Sequence, residues 1–282
     1  MKQVWGIGQR KFVGDFRRRI WMFNHLVKSI LMYGAEICGW NEYAAVEKCQ
    51  DKYIKRLLGL DWNTPGYIVR EETKTKVLRI ESGKRAVKFE EKIRESTPNR
   101  ILKECIIEIE KARQNKTRWE IDRELYFRRN GMSGEEIKRI RERGGDVIVR
   151  LTERDIEIQK QIQFNRIQES RFGKKYKELY SIEIPEYLRK PGKKHHQKII
   201  ARFRCGNEEL SSNFWRDQEE ILCRICQKEV ETIEHLSKRC REEMRSNMSA
   251  VQLLTGKGEG ISWMKKIIKI RAENRTKDQR AF

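Results

Sequence analysis

The sequence predicts an all-α chain. Only four prolines interrupt its 282 residues, which leaves room for long helices. Apolar residues recur at steps of three and four, and almost nowhere alternate as a half-buried strand requires. Charged residues make up 37% and hydrophobic residues 38%, against roughly a quarter and 45–50% in ordinary domains. The predicted core is therefore lean and its elements elongated, in a chain long enough for about two domains.

The most apolar stretch is 12–32. Phe16, Ile20, Phe23, Val27 and Ile30 lie at helical spacing. Trp21, Met22, Leu26, Leu31 and Met32 widen that face, so this helix is expected to be buried on most sides. Arg17, Arg18 and Arg19 at its start read either as a solvated turn or as a phosphate-contacting patch. A second helix carries Val46, Cys49, Tyr53, Leu57 and Leu58, with Gly59 placed to end it. Thr64-Pro65-Gly66 is a turn. Residues 67–95 read as one or two short helices broken near Ser82-Gly83, and Pro98 closes that block. Residues 100–111 put Ile101, Cys105 and Ile109 on one face, so Cys49 and Cys105 both read as core.

Residues 1–111 are thus expected to form one helical domain. From 112 to 188 charges dominate, with sparse apolar anchors such as Trp119, Tyr126, Ile137, Ile140 and Ile156. Ser133-Gly134-Glu135-Glu136 is a capping box, and Thr152 to Asp155 marks the start of a long helix. This stretch is expected to be a charged helical linker held partly by i,i+4 pairs, each contributing about 0.2–0.5 kcal/mol. Residues 189–245 are read as a basic segment joined to a metal unit, and 246–282 as a basic tail. Between 264 and 280 the tail has seven basic residues and two acids.

The metal unit is the most specific pattern in the chain: Cys223-x2-Cys226-x8-His235-x4-Cys240. Three thiolates and an imidazole make a closed tetrahedral set for structural Zn²⁺, without the open position that catalysis needs. The alternatives are four unrelated residues, or a redox Cys-x-x-Cys that would leave His235 and Cys240 unexplained. A disulfide framework fits poorly with seven cysteines and no secretory signal.

Lys and Arg number 63 against 42 acids, a net charge of +21. Such a field draws polyanions, with nucleic acid the first choice. Lys193, Lys194, Lys198, Arg202 and Arg204 fall in a run, 189–205, that contains no acid. Together with Arg17, Arg18 and Arg19 they are the expected phosphate contacts. Phe214 and Trp215 could stack on bases, although core packing is the commoner role. There is no 18-residue apolar run, no lipidation motif and no nucleotide-binding or nucleophile motif. No Asp-Asp pair offers a Mg²⁺ site for polymerase or nuclease chemistry. The expected protein is intracellular, nuclear and cytoplasmic, with no membrane and no small-molecule substrate.

Several of these stretches resemble one family. The run from Arg17 through Tyr33-Gly34-Ala35-Glu36 and Gly39-Trp40, then Leu57-Leu58-Gly59, Thr64-Pro65-Gly66-Tyr67 and Glu71-Glu72, is similar to the thumb and connection of non-LTR retrotransposon reverse transcriptases, above all insect-type elements. Ala201 to Glu208 and the Cys223–Cys240 segment resemble the zinc-knuckle region near the end of the same polyproteins. The resemblance implies a helical thumb-like bundle that cradles a primer–template duplex, and a small CCHC zinc knuckle that binds element RNA or target DNA. In that family the palm and endonuclease lie upstream, so the expectation is a C-terminal part with no polymerase or nicking activity of its own. A zinc-braced protein-interaction module, or a domesticated RNA- or DNA-binding protein, is the alternative.

Overall fold

The computed structural model describes residues 1–95, 100–111, 116–170, 174–208 and 222–278. Regular structure among them is helical, and the only β feature is an isolated antiparallel bridge between Leu222 and Val230. No described helix is long and apolar enough to cross a membrane. The chain makes two compact units from non-consecutive stretches. Met1–Phe23, Asp51–Lys74 and Arg166–Phe282 form the first; Asn24–Gln50 and Thr75–Asn165 form the second. The charged 112–188 stretch is divided between these units and does not stand alone as a linker.

In the first unit, Lys2–Lys11 forms an amphipathic helix. Asp15 caps the next helix by accepting from the Arg18 backbone N–H at 3.0 Å. The aromatic rings of Trp5 and Phe23 pack on Tyr53 with centroids 5.8 and 4.8 Å away. Gly14 has a φ of +74°, and a Cβ there would lie 1.8 Å from the Gly192 carbonyl oxygen. Its own carbonyl accepts from the Gly192 N–H and from the Gln197 side chain, each at 3.0 Å. Only glycine allows so close a crossing of two backbones.

The centre of this unit is a buried carboxylate. Glu72, at 0% exposure, accepts from Arg204 Nε at 2.6 Å, Tyr176 at 2.7 Å and Tyr187 at 2.5 Å. These residues come from the helices Gly66–Thr73 and Lys194–Arg204, the 3₁₀ turn Lys174–Lys177 and the short helix Glu186–Arg189. Burial and the neighbouring Glu72 carboxylate push both tyrosine hydroxyls well above their ordinary pKa.

The second unit packs Trp40, Val87, Tyr126, Phe127, Ile137, Ile140 and Leu151 into one cluster. The Trp40 ring meets Trp119, Tyr126 and Phe127 edge-on at 5.7, 5.6 and 5.9 Å. The sparse apolar anchors of the charged middle are therefore core residues. The helix Leu78–Glu95 runs unbroken through Ser82-Gly83. A Cβ on Gly83 would lie 2.5 Å from the Tyr126 ring, so this glycine serves close packing and not a break. The long helix begins at Val147, ahead of the expected start, because Asp146 accepts from the Val149 N–H at 2.9 Å.

Three other expectations change. The 16–31 helix contains a π segment, Phe23–Val27, which inserts a residue and rotates the downstream register. Ile30, downstream of it, is 74% exposed, and Trp21, upstream, is 57% exposed, so the helix buries one face only. Cys105 is exposed and Cys49 half-buried, so neither is a full core residue. Pro98 lies outside the described residues.

The second unit also buries Glu90, which pairs with Arg94, Arg123 and Arg141 at 2.9, 2.6 and 2.8 Å. Burial alone would raise its pKa, but the guanidiniums of Arg123, Arg141 and Arg94 outweigh this and hold it at about 2. A depressed carboxylate pKa stabilises the fold above the unfolded value near 4.5 and loses that contribution as the pH falls towards 2. The second unit should therefore lose about 3 kcal/mol between those pH values. Glu90→Gln should remove that pH dependence and cost a similar amount at neutral pH, by leaving the guanidiniums without a counter-charge. Urea unfolding followed by circular dichroism at several pH values checks both.

Candidate functional site

The Cys223–Cys240 segment converges on one point. The Cys223 N–H donates to the Glu229 carbonyl, and the Gln227 N–H donates to the Cys223 carbonyl, both at 2.7 Å. These bonds and the Leu222–Val230 bridge fold Cys-Arg-Ile-Cys into a tight turn. Gln227 leaves that turn with a φ of +56°, in the left-handed region that favours glycine. His235–Arg239 then forms a π turn closed by the Cys240 N–H donating to the His235 carbonyl at 2.7 Å. On an α-helix, residues five apart point about 140° away from each other. The wider π turn brings i and i+5 round to the same side. An ordinary α-helical turn would not have aligned this pair.

The result is a tetrad. Cys223 Sγ and Cys240 Sγ are 3.8 Å apart, Cys226 Sγ is 3.1 Å from His235 Nε2, and all four ligand atoms lie within 4.8 Å of one another. Two thiolates at ~2.3 Å on a tetrahedral ion would be about 3.8 Å apart. The four residues lie close enough to bind a metal ion. His235 Nδ1 sits 3.1 Å from Glu229 Oε2, a carboxylate–histidine contact that leaves Nε2 facing the sulfurs. Glu229 was not foreseen as its partner; an acid six residues before a histidine is a weak signal without the fold.

Electrostatics fit the same role. Burial, and then the neighbouring Cys223, push Cys240 up to about 12. Burial raises Cys223 as well. Burial opposes ionisation of Cys226, yet the Lys228 backbone N–H and the contacts with His235 and the other sulfurs bring it down to about 7. Three thiols this close cannot all ionise unless a cation supplies the balancing charge.

The metal loop is fastened to the terminal helix, Gly260–Asp278. Glu231 is buried and pairs with Arg224 and Arg271, and Arg271 also reaches Glu208 at 3.2 Å. Trp263 Nε1 donates to the Met244 carbonyl at 2.8 Å, and Asn274 Nδ2 to the Arg224 carbonyl at 2.9 Å.

The expected phosphate contacts divide into two groups. Arg17, Arg18 and Lys193 are exposed, while Lys194 and Lys198 are half-buried. Lys194 donates to Gln9 at 2.5 Å. The Gly14 bonds to Gly192 and Gln197 bring the 14–18 turn alongside 192–198, so the two runs share one surface. Exposed Arg10, Lys11 and Lys265 extend it, with Lys265 Nζ 2.7 Å from His196 Nε2. Arg19, Arg202 and Arg204 must be reassigned. Arg19 is 1% exposed and lies over the Trp5 ring at 4.3 Å. Arg204 is buried against Glu72. Arg202 bridges Asp61 at 2.9 Å and Glu208 at 2.5 Å. A cation so committed inside the fold is not available to phosphate. Phe214 and Trp215 lie outside the described residues.

Purified protein should carry one metal ion per chain, and Cys226→Ser or His235→Ala should lose it. Replacement by cobalt should give the absorption of a tetrahedral thiolate–imidazole centre. Glu229→Gln should keep the ligand set but weaken metal affinity about 10–100-fold, measured by competition with a chromogenic chelator.

Compared with known proteins, the chain matches no family model, no curated protein and no solved structure.

Proposed function

We propose that this chain is a nucleic-acid-binding part of a non-LTR retrotransposon reverse transcriptase, braced by one structural zinc ion. The observation that carries the reading is the crossing of Gly14 over Gly192, which joins the turn leading into Arg17 and Arg18 to the segment that opens with Lys193 and Lys194. Basic residues from distant parts of the chain thereby form one surface, as contact with a phosphodiester backbone requires. The net charge of +21 points to the same partner class. Three thiolates with one imidazole in a closed set suit zinc better than harder or more open-site ions. Zinc here is structural: it closes the 222–240 loop, which the Glu231–Arg271 pair fastens to the terminal helix that supplies Lys265.

On this reading the partner is element RNA, target DNA or both, and the protein works inside the cell, in nucleus and cytoplasm. The role is binding, with phosphoryl transfer assigned to other domains of the polyprotein. Ile30, Tyr33 and Ile37, exposed around the turn between the helices Lys28–Leu31 and Ala35–Cys38 of the second unit, favour a second reading as a protein-interaction module.

The two readings differ in salt dependence. Affinity for RNA or DNA should fall steeply between low and physiological salt. Arg17→Glu, Arg18→Glu and Lys193→Glu combined should weaken binding to all sequences alike and reduce the logarithmic salt slope by about 3, roughly one per lost phosphate contact. Arg204→Ala should instead lower the unfolding midpoint. A slope near zero for the wild type, in filter binding or fluorescence anisotropy, would leave the interaction module as the better account.

A further inference from the structure

We infer that Trp62 is a stacking platform for an unpaired nucleobase, at a site on the first unit separate from the metal loop. The inference rests on the nucleic-acid reading and narrows it to a single-stranded segment. Trp62 is 89% exposed. In a chain with so lean a core, leaving a whole indole in water forgoes one of the largest burial gains available.

The loop that displays it is held firmly. The Trp62 carbonyl accepts from Lys55 Nζ at 2.9 Å. The Asp61 N–H donates to Asn207 Oδ1 at 3.0 Å, and Thr64 Oγ1 exchanges hydrogen bonds with the same buried amide at 3.1 and 2.9 Å. Arg202 binds both the Gly59 carbonyl and Asp61 at 2.9 Å. The residues on each side of Trp62 are thus held by Asn207, with Arg202 adding a second hold on the Gly59–Asp61 side. Preorganisation of this kind is what a binding surface needs.

Charge around the loop names the occupant. Lys55 is anchored on the Trp62 carbonyl, and the Lys198 methylenes run over Gly59, with carbons 3.1–3.4 Å from where a Cβ would sit. Of the acids near the loop and Lys55, Asp61 is paired with Arg202 and Asp51 with Arg70. An exposed aromatic face on a loop contacted by two lysines suits a base on the indole with flanking phosphates near the ammonium groups. A duplex hides its base faces and would leave Trp62 without a role.

The test compares wild type, Trp62→Ala and Trp62→Phe in anisotropy titrations. The probes are a labelled oligothymidylate, the same strand with abasic sites, and a blunt duplex of equal length. Trp62→Ala should weaken oligothymidylate binding about ten-fold, leave the duplex and abasic strand unchanged, and keep the wild-type melting temperature. Trp62→Phe should restore most of the loss. Equal loss on strand, abasic strand and duplex, or no loss at all while the wild type still binds, overturns the stacking site and spares the basic surface. Absence of wild-type binding to every probe overturns both.

Discussion

The carboxylate of Glu72 lies out of reach of water, and a guanidinium and two phenols close around it. A buried charge is costly unless it is paired and fully hydrogen-bonded, so the elements that supply those partners are constrained together. Burial alone would lower the Arg204 pKa, but Glu72 holds it above its ordinary value. The pattern recurs as Glu90 with Arg94, Arg123 and Arg141, as Asp155 with Arg79, and as Glu231 with Arg224 and Arg271. A chain short of apolar residues and rich in arginine is assembled around enclosed carboxylates as much as around aliphatic side chains.

That constraint sorts the positive charge. Arginines that clamp an interior carboxylate, or lie over an aromatic ring as Arg19 does on Trp5, belong to the fold. Arg17, Arg18 and Lys193 stay at the surface, Arg18 with Asp15 beside it at 3.4 Å. Adjacent residues can fall on opposite sides of this division. Arg18 and Arg19 are neighbours in sequence, yet a turn of 100° on the helix takes one to water and the other to the core.

The metal loop follows the same logic with sulfur in place of carboxylate. Three crowded thiols are unfavourable as anions by themselves, and become favourable with a neutral imidazole around a cation. The Glu231–Arg271–Glu208 chain then transmits the order of that loop to the terminal helix. The π turn at His235–Arg239 is what lets a five-residue spacing serve as a ligand pair.

Much of this was legible in the residues themselves. Helical class follows from apolar spacing and scarce proline, and the four metal-site residues follow from a spacing that few other arrangements explain. Local terminators such as Gly59, at a φ of +68°, act through their own conformation and need no distant partner. Tertiary structure alone decided the rest. Whether Ser82-Gly83 broke a helix depended on the Tyr126 ring arriving beside it, and whether the charged middle was linker or core depended on Trp40 meeting Tyr126 and Phe127. Which arginines face water depended on carboxylates that are remote in sequence. Spacing reports what a short segment can do by itself, whereas desolvation and pairing are set by whichever distant groups the fold brings near.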